Sequence, residues 1–402
     1  MKTAIALLAL LAVTFCSKID NPNETPPGPS PEPVPFPVKA RAYWPTADWR
    51  VAAPDQAGMD AEKLKKLDDY LFTRTGDDIN RKGVRTDGVV IVRDGKIVFE
   101  KYARGYTQDS PHLIWSSAKS FTSALVGIAI KEGRFSLTDP ISKFYADAKE
   151  GMKSEITVEH ILQMSSGLAW SEGYEASPLK SSVIAMLYTS GRTDMGWFTS
   201  SFPLKHRPGT RWYYSSGDTN MLCGILHKTM SEDEYQNYPW EKLFNPIGMK
   251  RVTFERDGAG NYVGSSYLYA PPRELAKFGF LYLNDGMWEG KRVLPEGWVK
   301  YSRTLAPALH ANPPTGEAWE GNYGAQWWMN QAETDKNRPI PWPDGPPDAY
   351  AAMGHWGQRI YVIPSLDIVA VRVGDDREKP PVGGFSDNEF LKLLKEAAQG
   401  AR

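Results

Sequence analysis

The β-rich segments of this 402-residue chain lie near its two ends, and that arrangement restricts the fold more than any other feature. Gly88 to Tyr102 (GVVIVRDGKIVFEKY) holds two runs of β-branched and aromatic residues around Asp94-Gly95, a dipeptide suited to a two-residue hairpin turn. Tyr323 to Met329, Gln358 to Ile363 and Ile368 to Val373 also read as strands, the last two across a turn at Pro364-Ser365. Between them, over about 135–300, helical pieces alternate with Pro and Gly breaks: ITVEHILQM at 156–164, TNMLCGILHKTM at 219–230 and PPRELAKFGFLYLND at 271–285. A last helix covers Glu389 to Ala398. The pattern predicts an α+β fold, an α/β sandwich. One antiparallel sheet is built from both chain ends and flanked by helices, with a mainly helical region inserted.

The first 16 residues, MKTAIALLALLAVTFC, are long enough for a secretory signal and shorter than the roughly 20 apolar residues a permanent span needs. Cys16 closes this run and is followed by Ser17-Lys18, similar to a bacterial lipoprotein signal, with Phe15 where a small residue is usual. Export is expected, to the periplasm or an outer-membrane tether, with Cys16 as the candidate for lipidation. From Pro22 to Pro37 eight of 16 residues are proline, which favours an extended spacer. The expected organisation is a signal at 1–16, a disordered linker at 17–40 and one domain at 41–402.

Charge and cysteine content remove several function classes. The 47 Lys+Arg nearly cancel the 48 Asp+Glu, so no electrostatic footprint points to nucleic acid. Two cysteines exclude a disulfide framework and a Cys-rich zinc site, and the six histidines form no HExxH pair. No metal or cofactor is expected, and membrane contact is expected only through an N-terminal lipid.

Ser116-Ser117-Ala118-Lys119 fits the S-x-x-K pattern of serine acyl transfer. It opens an apolar helix, Ser116 to Glu132, directly after the hairpin. On a helix, residues i and i+3 share a face, so the amine lies beside the hydroxyl and can take its proton. The helix start adds N–H groups where an oxyanion would form. Ser177-Pro178-Leu179-Lys180 is a second match, but its proline and polar surroundings forbid a buried helix there. Cys223 falls on the apolar face of a later helix and reads as core. Asp218-Thr219 reads as a helix start and its cap. Trp115, Trp170, Trp197, Trp212, Trp327 and Trp328 could each wall a pocket or simply pack.

Two further segments give the motif a context. PGTRWYYSSGD at 208–218 precedes a helix, and Gly354-His355-Trp356-Gly357-Gln358 precedes a strand. With LTDPISKF, ITVEHILQMSSGL and DGVVIVRDGKIV, the ordered set resembles the serine β-lactamase and penicillin-recognising enzyme superfamily over about residues 50–400. It looks most like the class C-like branch, with family VIII esterases, D-amino-acid peptidases and 6-aminohexanoate-dimer hydrolases. The resemblance implies Ser116 as the acylated nucleophile, Lys119 as its proton partner and Tyr214 as the phenol or phenolate that shuttles protons. Tyr213 is a neighbouring rival. Strict Tyr-x-Asn matches at Tyr235 and Tyr282 lack the Pro-Gly-Thr approach. Ser216 replaces the usual Asn, and His355-Trp356-Gly357 stands where many relatives have Lys-Thr-Gly. The resemblance also implies substrate contacts from Ser216, His355, Trp356 and Gly357, and an oxyanion hole from the N–H groups of Ser116 and Gln358. Loss of the Lys cation and gain of Trp356 favour uncharged, aromatic-tolerant ester or amide substrates.

The expectation is therefore an exported serine hydrolase cleaving small esters or amides through an acyl-enzyme on Ser116. The alternatives are a D-Ala-D-Ala carboxypeptidase or weak β-lactamase, and a catalytically silent tethered binding lipoprotein.

Overall fold

Strand side chains alternate between faces, so Thr86–Arg93 (β1) sends Val89 and Ile91 to one side of the sheet and Val90 and Val92 to the other. All four are buried, and the strand requires cover on both sides. Asp94 (φ 50°) and Gly95 (φ 72°) turn the chain into Lys96–Tyr102 (β2), as the hairpin signal predicts. The computed structural model describes residues 19–399 apart from 34, 37, 74–78, 80, 175–176, 312–320, 332–337 and 379–383. The C-terminal part adds Trp328–Met329 (β3), Tyr350–Gly354 (β4), Gln358–Ile363 (β5) and Ile368–Gly374 (β6). The six strands lie in the order β2-β1-β6-β5-β4-β3 with antiparallel pairing, and the two chain ends meet where Val90 faces Val371.

The longer helices are Ala61–Phe72 (α1), Ala118–Lys131 (α2), Ser216–Lys228 (α3), Pro272–Leu283 (α4) and Asp387–Gln399 (α5). Leu64 and Leu67 of α1 and Leu394 of α5 share a core with Val89 and Ile91. Asp60 caps α1 by accepting the Glu62 and Lys63 N–H groups at 3.0 and 3.1 Å. On the other face α4 lies so close to the sheet that a Cβ on Gly279 would come within 2.5 Å of Val369. Behind it, Phe121 of α2 stacks on Phe278 with centroids 3.6 Å apart. The helices α3 and α4 fall between the two strand groups, within the inserted helical region the sequence predicts, and α2 precedes it.

Some boundaries differ from the sequence reading. Ser116 sits in a 3-10 turn, Trp115–Ser117, and α2 starts at Ala118. The strand expected from Tyr323 shrinks to Trp328–Met329, with Tyr323 left as an isolated bridge, because Gln326 takes a left-handed φ of 68°. Ser215, not Asp218, caps α3, accepting the Asp218 N–H at 3.0 Å. β4 was not anticipated, since Tyr-Ala-Ala-Met-Gly carries no β-branched residue.

Residues 1–18, including Cys16, lie outside the described residues. Where composition expects a disordered spacer, the described part of the proline-rich stretch lies along the domain. Glu24 pairs with Arg211 at 3.2 Å, Glu32 with Lys300 at 2.5 Å, and Arg303 lies 4.6 Å over the Phe36 ring.

Candidate active site

The chain enters the site through Trp115, held at a left-handed φ of 48°, and the next residue, Ser116, is partly exposed. Lys119 follows in the first turn of α2 and is almost fully buried. Its Nζ lies 3.0 Å from Ser116 Oγ, 2.9 Å from Ser216 Oγ and 3.0 Å from the Ser265 carbonyl oxygen. Burial lowers the Lys119 pKa to about 8, against an opposing pull from the Glu172 carboxylate. A free amine is therefore accessible close to neutral pH, beside the serine.

The start of α3 supplies the next groups. Tyr214 is buried, its hydroxyl hydrogen-bonds Ser116, and its ring centroid is 4.9 Å from Lys119 Nζ. Burial pushes the phenol pKa up, Glu172 adds to this, and the Ser116 hydrogen bond opposes it. Tyr214 is thus a neutral phenol at neutral pH, so of the two forms expected the phenolate is disfavoured. Tyr213 is 39% exposed and is not among the residues lining the cleft at Ser116, while the Tyr235 hydroxyl donates to the Cys223 carbonyl in the core. Tyr282 is also core. Ser177 and Lys180 lie on an exposed turn. Cys223 is buried against Thr122, and burial raises its thiol pKa to about 12, so it is packing.

Two residues that the sequence reading missed complete the cluster. Glu172 is 1% exposed and accepts from Trp170 Nε1 (2.5 Å), Tyr174 (3.2 Å) and both the N–H (2.9 Å) and hydroxyl (2.5 Å) of Ser216. Ser216, itself fully buried, thereby links Lys119 to a buried carboxylate. Tyr174 hydrogen-bonds Ser116 and lies 3.1 Å from Ser216 Oγ. Both come from the loop after Leu168, where neither periodicity nor spacing marks them.

The opposite wall is the turn His355–Gly357. A Cβ on Gly354 would come within 2.0 Å of the Ile114 carbonyl oxygen, so glycine lets this turn approach the Ser116 segment. The His355 ring stacks on Tyr174 at 5.2 Å. Trp356 takes a left-handed φ of 57°, its ring edge-on to Trp115 at 5.4 Å. Two tryptophans held in a sparsely populated conformation on facing walls mark a site fixed by its surroundings. Ser116, Tyr174 and Tyr214 open into a cleft of about 500 Å³ walled by Trp328, Trp342 and Trp356. Of the tryptophans singled out in the sequence, Trp328 and Trp356 line this cleft; Trp327 is core, Trp197 is exposed and Trp170 holds Glu172.

Comparison with known proteins gives the geometry its context. A family model described as Beta-lactamase matches residues 35–386. The chain belongs to the beta-lactamase family. It is a serine hydrolase of that family. It is 26% identical over 324 residues to the 6-aminohexanoate-dimer hydrolase of Paenarthrobacter ureafaciens, covering 78% of each chain. Among solved structures, a penicillin-binding protein homologue from Caulobacter crescentus has a TM-score of 0.63 at 14% identity, covering 88% of this chain and 99% of that one. A family VIII carboxylesterase has a TM-score of 0.59 at 14% identity, covering 84% and 98%. These likenesses carry the fold.

Within this beta-lactamase-family fold, the clustered side chains can themselves run acyl transfer. A free Lys119 amine can accept the Ser116 proton while the oxygen attacks a carbonyl carbon. A neutral Tyr214 phenol can donate to a leaving group, and the proton that Lys119 took from Ser116 restores the phenol.

Proposed function

We propose that the protein is an exported hydrolase cleaving small ester or amide substrates through an acyl-enzyme on Ser116. The observation that carries this reading is Lys119 Nζ at 3.0 Å from Oγ of Ser116, a partly exposed residue that lines the cleft. In the first step the Ser116 proton passes to Lys119 and Oγ bonds to the substrate carbonyl carbon. The N–H groups of Ser116 and Gln358 receive the oxyanion. The bond to the leaving alcohol or amine breaks as that group takes a proton by way of Tyr214, and water then releases the acid by the reverse path. Aromatic walls at Trp328, Trp342 and Trp356 favour apolar or aromatic acyl parts. A linear amide such as the 6-aminohexanoate dimer is a substrate to include, given the relative named for it.

The test uses a fluorophosphonate probe with p-nitrophenyl butyrate, the 6-aminohexanoate dimer and nitrocefin. The expected result is ester or amide turnover, little nitrocefin turnover, and labelling that disappears in Ser116→Ala. Labelling that persists in that variant overturns the assignment, and inactivity across the panel returns the silent binding protein. Export with a lipid on Cys16 belongs to the same proposal. The mass of the mature N-terminus checks it.

A further inference from the structure

The peptide joining Gly357 to Gln358 is gripped from behind by a buried ion pair. Arg372 of β6 has no solvent exposure, and its Nη1 donates to the Gly357 carbonyl oxygen at 3.0 Å. Nη1 also pairs with Asp376 Oδ2, and Nη2 donates to Asp376 Oδ1 at 2.9 Å. Thr86 Oγ1 accepts from Nε and Nη2 at 3.1 and 3.0 Å, and the guanidinium lies 4.3 Å over the Phe385 ring. The Asp376 backbone N–H donates to the Trp356 carbonyl oxygen at 3.1 Å. The Gln358 side-chain amide donates to the His355 and Trp356 carbonyl oxygens at 3.1 and 3.3 Å and to Gly374 at 2.7 Å. Every carbonyl of the turn from His355 to Gly357 is therefore bound within the protein.

A trans peptide sets its C=O and the following N–H on opposite sides. Fixing the Gly357 oxygen on Arg372 turns the Gln358 N–H away from Arg372. A Cβ on Gly357 would fall 2.0 Å from Arg372 Nη1 and 2.1 Å from Asp376 Oδ2, so nothing separates the pair from this peptide. Removing two charges from water costs about as much as their attraction returns, so such a pair is poorly explained by stability alone. We infer that Arg372 and Asp376 are positioning residues that aim the Gln358 N–H at the oxyanion formed on the substrate of Ser116. This rests on the reading of Ser116 as nucleophile and Gln358 as oxyanion donor.

The experiment compares wild type, Ser116→Ala, Arg372→Lys and Asp376→Asn on p-nitrophenyl butyrate, with benzeneboronic acid as a tetrahedral oxyanion mimic. The expected result is a kcat lowered ~10–100-fold, KM within about two-fold of wild type, and a boronate Ki raised by the same factor as kcat falls. A folded variant with unchanged kcat, or with kcat lowered while boronate affinity is kept, overturns the inference. Asp376→Asn keeps size and the backbone N–H, and it decides the question where Arg372→Lys does not fold. Full hydrolysis by Ser116→Ala overturns the proposed function instead, whatever the Arg372 variants do.

Discussion

In the proposed mechanism, the pH behaviour of the site turns on Lys119. With a pKa of about 8, roughly a tenth of its amine is free at pH 7, and activity should rise with pH as that fraction grows. The kcat/KM profile for a p-nitrophenyl ester is expected to climb through a limb near pH 8. The Glu172 carboxylate pulls the Lys119 pKa upward, so Glu172→Gln should move that limb to lower pH. A limb that stays put or moves up would count against Lys119 as the base. Tyr214→Phe should cost ~10²–10⁴-fold in kcat while leaving the fold intact, as measured by turnover and circular dichroism. Ser116 and Lys119 were legible in the sequence because one helical turn fixes their relation locally. Tyr214 was legible from its flanking motif. Glu172 and Tyr174 were not, because their position comes from a loop folding back onto Ser216, and no local rule encodes that return.

At the scale of elements, the packing of α4 on the sheet depends on Gly279. An Ala there would drive its methyl into Val369 and Ile360, and overpacking of this kind costs about 1–3 kcal/mol. Gly279→Ala should lower the unfolding free energy by that amount and the urea midpoint in proportion, whereas an unchanged midpoint would show that the helix can lift without cost. The apolar period of α4 marks it in the sequence, but nothing there signals that its glycine faces a strand. The hairpin, β5 and β6 were readable from β-branched runs. β4 escaped because two alanines and a methionine hold their strand form through neighbours on both sides, not through their own preference.

For the whole molecule, the described proline-rich stretch braces the segment that leads to Tyr214, since Glu24 pairs with Arg211. Exposed ion pairs of this kind contribute about 0–1 kcal/mol each. Removing residues 1–37 should therefore lower the denaturation midpoint modestly and leave ester turnover within a few-fold, as read by urea titration and initial rates. A large loss of turnover would mean that the segment shapes the cleft as well. Composition announced extended chain here but could not announce its resting place, because every partner lies far along the sequence. A related separation governs how the sheet is assembled. Val90 finds Val371 only after roughly 280 more residues have been made, which at roughly 5–20 residues per second is on the order of tens of seconds. Until then the nascent hairpin has an unpaired edge and no native neighbour on that side. A polypeptide left incomplete by early termination would lack its central strand pairing altogether, so ribosomal output is usable only when it is finished.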